Sequence, residues 1–191
     1  MKLRNVDPRK ISVPDVRVTS VFDSELLQEF KASIKELGIL EPPVCVDDGE
    51  NLYIVDGLHR ILEAIESKTK LIQVAVVDGT IKDVLIQNLS LNNLRGKINP
   101  TDTARVLKVL FDEQGMGVDE ISKKTGFSED RISKLLYISR AVPGVLSALD
   151  DGLIQLGHAF LLSKIEDKEV QDRVLAQQLI YHFKVSDLAQ H

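Results

Sequence analysis

Apolar positions along the first half of the chain follow two different periods. Between residues 23 and 37, Leu26, Leu27, Phe30, Ile34 and Leu37 share one helical face, while Glu29, Lys31, Lys35 and Glu36 fall elsewhere. Gly38 is a natural stop for that helix. Residues 43–46 and 52–55 are short apolar runs on either side of Asp48-Gly49, which predicts a hairpin. Residues 10–13 read as a first strand, and residues 71–77 as another, closed by Asp78-Gly79. Helical spacing returns at 58–66 and at 81–94. The first 95 residues therefore predict a compact unit of mixed helix and strand, of the α+β class.

The pattern changes at Gly96. Asn99-Pro100 interrupts the chain, and Thr101 reads as a helix cap. From there the spacing predicts helices alone, at 101–114, 118–125, 129–140, 144–150, 157–164, 168–180 and 184–190. A boundary near residue 96 thus divides a domain at 1–95 from an all-α domain at 96–191.

Within the second domain, residues 118–136 have the grammar of a helix-turn-helix. Ile121 faces inward, Ser122 is small where two helices approach, Gly126 sits at the tight turn, and Ser128 is placed to cap the second helix. Ile132 with Leu135 or Leu136 closes the inner face. In such motifs the second helix enters the major groove of double-stranded DNA. Its outward residues would be Arg131, Ser133, Lys134 and Tyr137, with Ser128 at its start and Lys123 and Lys124 facing phosphates. Glu129 and Asp130 suit the start of a helix dipole but repel phosphate. They fit equally a helix that binds protein.

The strongest chemical signal in the first domain is Asp56-Gly57-Leu58-His59-Arg60, between the apolar run 52–55 and the helix that follows. Glycine lets the chain turn sharply and lets a ligand approach closely. The helix behind it presents unpaired N–H groups and the positive end of its dipole, and His59 and Arg60 add donors and charge. That is chemistry for a phosphate or another anion. The pattern also resembles the Asp-Gly-His-His-Arg motif of a group of small-molecule kinases, and that resemblance implies a role for Asp56 as base or magnesium ligand in phosphoryl transfer.

Net charge is −5, which does not advertise nucleic-acid binding. The distribution is uneven: net −3 over residues 1–95, +1 over 96–141 and −3 over 142–191. DNA contact must therefore use a local basic face, and the middle segment is the place for it. The one cysteine, Cys45, excludes an internal disulfide and any cysteine cluster for a metal, and reads as a buried strand residue. No metal site is predicted. No apolar run is long enough for a membrane span or a signal peptide, so the composition fits a cytoplasmic protein.

Four segments, in this order, resemble the ParB family of chromosome and plasmid partition proteins. Phe22-Asp23 through Gly38-Ile39-Leu40-Glu41-Pro42 is similar to the family's first helix and its ending. Val55 to Arg60, followed by Glu63-Ala64, resembles its Gly-Glu-Arg-Arg phosphate motif. Asn92 to Pro100 resembles its Asn-Leu-Gln-Arg junction, and Leu156-Gly157-His158-Ala159 its Gly-His-Ala-Arg segment. The resemblance implies a ParB/sulfiredoxin-like domain that binds CTP or another nucleoside triphosphate with Mg2+, followed by a helix-turn-helix domain that binds DNA at the nucleoid. It implies roles for Gly57, His59 and Arg60 on phosphates and for Asn92 and Arg95 near the nucleotide. It also implies a ParA-like ATPase as partner, a homodimer, and a dimerisation domain following Ala189 in full-length members. Leu58, His59, Leu91 and Phe160 depart from the family's polar residues, which predicts that CTP hydrolysis is slow or absent. DNA partition and transcriptional regulation are both compatible with this pattern.

Two other classes fit parts of the sequence. A phosphotransferase or nuclease of the same superfamily would use Asp56, His59 and Arg60. A protein-interaction adaptor would use the acidic start of the second helix and the acidic C-terminal helices. Leu58 stands where sulfiredoxin has its cysteine, which excludes sulfinic acid reduction. His158 reads as packed between helices, His182 and His191 carry no assigned role, and Asp47-Asp48-Gly49-Glu50 reads as a polar hairpin turn.

Overall fold

The computed structural model describes residues 1–19, 24–95 and 99–189. Two compact units emerge, Met1–Ile98 and Asn99–His191. The boundary expected near Gly96 falls outside the described residues, as do Phe22, Asp23 and His191.

The first unit is a five-stranded mixed sheet in the order β1-β5-β3-β4-β2. Its strands are β1 (Lys2–Val6), β2 (Ile11–Ser12), β3 (Val44–Asp47), β4 (Leu52–Asp56) and β5 (Ile72–Asp78). Its helices are α1 (Ser24–Leu37), α2 (Leu58–Glu66) and α3 (Ile81–Arg95). β3 and β4 form the expected antiparallel hairpin. At its turn, Gly49 donates to Asp47 Oδ1, while Glu50 and Asn51 donate to Asp48 Oδ1 at 3.0 and 2.7 Å. These carboxylates are occupied by the turn.

Side-chain alternation divides the sheet into two apolar faces. Cys45, Ile54, Ile72, Val74 and Val76 meet Ile61 and Ala64 of α2 on one side. Val46 and Val55 meet Val84 of α3 on the other. Burial pushes the Cys45 thiol up to about 12, so it is an unreactive core residue.

The structure adds one unpredicted strand and alters two expectations. β1 has no apolar alternation to reveal it: four of its five residues are exposed, and it is held at the sheet edge by its antiparallel ladder to β5. The strand expected at 10–13 shrinks to Ile11–Ser12, because Pro8–Lys10 winds into a 3-10 turn capped by Asp7. α1 is amphipathic, yet none of its described residues is fully buried, and Leu26 and Leu37 are exposed. It lies over α2 rather than against the sheet.

The second unit is entirely helical: α4 (Pro100–Lys108), α5 (Val118–Thr125), α6 (Glu129–Ile138), α7 (Pro143–Asp150), α8 (Leu156–Ser163), α9 (Lys168–Tyr181) and α10 (Val185–Leu188). Asn99, not Thr101, caps α4, accepting from Thr101 N and Asp102 N. Pro100 takes the first helical position, where its missing N–H costs nothing. The single helix expected at 101–114 ends in a π turn over Val109–Glu113. A core of Ile138, Val145, Leu149, Ala159, Leu162 and Leu175 joins α6 to α7, α8 and α9. His158 packs between helices: its Nδ1 accepts from Gln155 N, and its Nε2 lies 2.9 Å from the Phe183 carbonyl. No described helix is long and apolar enough to cross a membrane.

Candidate functional site

The end of β4 gathers most of the residues singled out in the first unit. Gly57 caps α2 with φ of +90°, in the left-handed region that suits glycine. A Cβ there would stand 2.8 Å from Arg60 Nε, so the arginine lies directly over the glycine. Arg60 Nη2 donates to Asp56 Oδ2 at 2.9 Å, and Nη1 donates to the Glu41 carbonyl. The Arg60 guanidinium thus ties β4 and α2 to the loop after α1. His59 is half-buried with its ring edge-to-face against Phe30 of α1, 6.4 Å between centroids.

Arg17 completes this cluster and was not legible from its sequence neighbours. It is half-buried, its Nη2 lies 3.5 Å from the Val55 carbonyl, and its Nε and Nη1 are buried without a hydrogen-bond partner among the described residues. Burial lowers the Arg17 pKa, and the negative charge of Asp56 works against that shift. Two arginines thus converge on one buried carboxylate. Unmet N–H donors at such a place suit an anion with several oxygens.

Asn88 positions the Arg17 segment. Its Oδ1 accepts from Val18 N at 2.8 Å, and its Nδ2 donates to Val18 O and Val55 O at 3.1 and 2.9 Å. Asn92, one turn on, is buried and donates to Asn88 O at 2.8 Å, with Val18 O at 3.5 Å. Its amide belongs to the framework beside Arg17. The side chain of Arg95 lies outside the described residues. Leu58 packs against the α2-side core and Leu91 against the α3-side core, so both present apolar surface.

In the second unit, α5 and α6 form the helix-turn-helix. Gly126 ends α5 at φ +77°, and Ser122 Oγ donates to Phe127 O across the turn. Ser128 caps α6, its Oγ accepting from Arg131 N at 3.2 Å. Ile121, Ile132 and Leu135 are buried beneath. Ser133 and Tyr137 are exposed on α6, while Lys134 is half-buried. Arg131 departs from the outward position expected of it: its guanidinium lies over the Phe127 ring, 4.4 Å from the centroid, and burial lowers its pKa. It remains charged.

Each candidate lysine has a carboxylate one turn back. Lys123 lies 3.3 Å from Asp119, Lys124 3.8 Å from Glu120, and Lys134 2.7 Å from Asp130. The basic face predicted from sequence is thus internally neutralised. These pairs are solvent-exposed and worth little individually, so phosphates can exchange for the carboxylates.

The ParB N-terminal domain model matches residues 1–94, and the ParB HTH domain model matches residues 96–191. Over 148 residues the chain is 28% identical to the chromosome-partitioning protein Spo0J of Thermus thermophilus, covering 78% of this chain and 55% of that protein. Over 138 residues it is 28% identical to the chromosome-partitioning protein ParB of Myxococcus xanthus, covering 72% and 47%. It therefore spans about half the length of these two relatives. A crystal structure of C-terminally truncated ParB from Caulobacter crescentus, complexed to the centromeric parS site, has a similar fold with TM-score 0.61 at 19% identity, covering 98% of this chain and 97% of that one. A Pnob8-like ParB-N domain gives TM-score 0.52 at 14% identity, covering 94% and 84%.

Proposed function

Because the chain belongs to the ParB family, matched by both of its domain models in chain order, we propose that it is a sequence-specific DNA-binding protein of DNA partition. Its N-terminal unit binds a nucleoside triphosphate, CTP foremost, with Mg2+. Its helical unit binds double-stranded DNA through α5 and α6. Partition by such a protein involves a homodimer and a ParA-like ATPase, at the nucleoid.

The observation that carries the nucleotide reading is the pair Arg17 and Arg60 around Asp56, at a glycine-capped helix start. Arg17 brings two buried donors without partners among the described residues. The first N–H groups of α2 add to them. A triphosphate would draw Arg60 from Asp56, or reach both through Mg2+ held by the carboxylate. Gly57, His59 and Arg60 would face the phosphates, and Asn92 and Arg95 the far side of the nucleotide.

α3 leads through residues 96–98 into the helical unit. A nucleotide that orders the end of α3 would therefore act on the DNA-binding unit, by as much as its affinity differs between the two arrangements. Hydrolysis is a separate property. The apolar packing of Leu58 and Leu91 and the ion pair of Asp56 leave no side chain among these three poised as a base, so turnover should be slow or absent. Transcriptional regulation would follow from the same DNA binding.

Calorimetric titration with each nucleoside triphosphate and Mg2+, with and without mixed genomic DNA fragments, tests this reading. CTP binding in the micromolar range, altered by DNA, is the expected result. Absence of binding by all four triphosphates would sink the nucleotide part. Absence of DNA binding by folded protein at low salt would sink the other.

A further inference from the structure

Five ion pairs of the helical unit lie within a single helical stretch: Arg105–Asp102, Lys108–Asp112, Lys123–Asp119, Lys124–Glu120 and Lys134–Asp130. Arg140 and Lys164 differ. Both are exposed, and among the described residues neither is held in an ion pair. Each instead lies over an aromatic ring. Arg140 Cζ is 5.9 Å from the Tyr137 centroid, and Lys164 Nζ is 4.5 Å from the Phe160 centroid. The two rings meet edge-to-face, 5.6 Å apart at 82°. The result is a continuous ridge of cation, ring, ring and cation, from the end of α6 to the end of α8. Lys168 adds a third positive charge at the Arg140 end, its Nζ donating to the Arg140 carbonyl. Asp167, beside it in sequence, is engaged in capping α9.

We propose that this ridge is a second DNA-contact surface, in which Arg140 and Lys164 hold backbone phosphates and the Tyr137–Phe160 edge packs on the 5-methyl group of a thymine. The inference rests on the DNA-binding reading above and extends it to α8. Two features point to DNA. The cations are available without breaking an internal pair, unlike Lys123, Lys124 and Lys134. The surface also continues the exposed side of α6, where Ser133, Tyr137 and Arg140 follow one another at helical spacing. The rings between the cations determine what is read. Among base edges in the major groove, the thymine methyl is the apolar group. Tyr137 is 47% exposed, enough for its ring to be covered by a ligand.

The test uses the whole chain and a duplex selected by it from a random-sequence pool at low salt. That duplex is prepared twice, with thymine and with deoxyuracil, which differ only by the methyl group. Wild type should bind the deoxyuracil duplex about fourfold more weakly, the worth of one buried methyl-sized group. Tyr137→Ala should bind the two duplexes equally, and so should Phe160→Ala if it folds. Tyr137 is the exposed ring, so its variant serves if Phe160→Ala loses its helical signal. Arg140→Ala and Lys164→Ala should each flatten the log–log salt dependence by about 1 while keeping the thymine preference. Equal binding of both duplexes by wild type, or an unchanged salt slope in Arg140→Ala and Lys164→Ala, overturns the inference and leaves DNA binding standing. Failure of wild type to select any duplex overturns both.

Discussion

The Arg60 guanidinium reaches back one helical turn, across the Gly57 junction, to lie 2.9 Å from the Asp56 carboxylate, with both side chains largely out of solvent. Arg17 stands on the same carboxylate's field. Asp56 therefore occupies, within the chain, the electrostatic place that a phosphate would take. Asp56→Asn should lower stability by about 3 kcal/mol, because two buried guanidinium groups lose their counter-charge. The same variant should gain more thermal stabilisation than wild type from a saturating triphosphate, since the ligand then supplies that charge. Differential scanning calorimetry with and without CTP checks both signs. A smaller ligand-induced shift in the variant would instead make Asp56 a direct ligand, through Mg2+.

Arg60→Ala should abolish triphosphate binding, and Arg60→Lys should restore it only in part, because lysine lacks the two-pronged donor geometry. Isothermal titration distinguishes the two variants. Equal affinity in Arg60→Ala and wild type would mean that Arg60 is a purely structural strut.

Gly57→Ala tests the same junction from the backbone. It combines a positive φ with a Cβ that would crowd Arg60 Nε. The conformational strain costs on the order of 1–2 kcal/mol. The arginine must also swing away from Asp56, so ligand affinity should fall further than stability does. Thermal unfolding and titration of one sample give both numbers.

Neutralised lysines predict an unusual gain-of-binding variant. Asp130→Asn releases Lys134 and removes a charge that repels phosphate, so non-specific DNA affinity should rise several-fold at low salt, with stability changed by less than about 1 kcal/mol. Lys134→Ala should weaken binding to all sequences. Fluorescence anisotropy over a salt series separates the two effects.

Acid should loosen the sheet edge first. Arg4 of β1 reaches across β5 to Asp47 of β3, and this hydrogen bond, followed by that from Gly49 N, holds the Asp47 carboxyl below its ordinary value of 3.8. A depressed folded pKa means the stabilisation is present above that ordinary value and disappears as pH falls through the lower folded one. Amide chemical shifts of β1 should report this change at acid pH, and Arg4→Ala should remove most of it.

Much of this architecture was visible in the residue pattern, for identifiable reasons. The β3–β4 hairpin, α2 and the helix-turn-helix carry strict periodicity or a glycine where the backbone needs one. β1 carried no such mark, because a ladder to β5 rather than a buried face holds it. The π turn at Val109–Glu113 was hidden inside a continuous helical pattern. At the candidate site, the motif 56–60 drew attention to the β4–α2 junction but did not reveal that Asp56 engages Arg60. Arg17 was missed because its importance comes from a contact with a strand nearly forty residues away. The lysines of α5 and α6 were legible as charges. That each has a carboxylate beside it was also written in the sequence, at i−4, and is the signal that a simple net-charge count passes over.

The Asn88 amide carries the carbonyl acceptor of a peptide group and two N–H donors where a peptide has one, and it uses them as a strand neighbour would. Through it, the irregular segment around Val18 is joined to β4 with no strand pairing of its own. A change to aspartate, by mutation or by slow deamidation, would turn a carboxylate toward the Val18 and Val55 carbonyls and exchange attraction for repulsion. Leucine there would keep the volume and sever the link. The anchoring of Arg17, and with it the proposed anion site, therefore depends on a position whose side chain does the work of backbone.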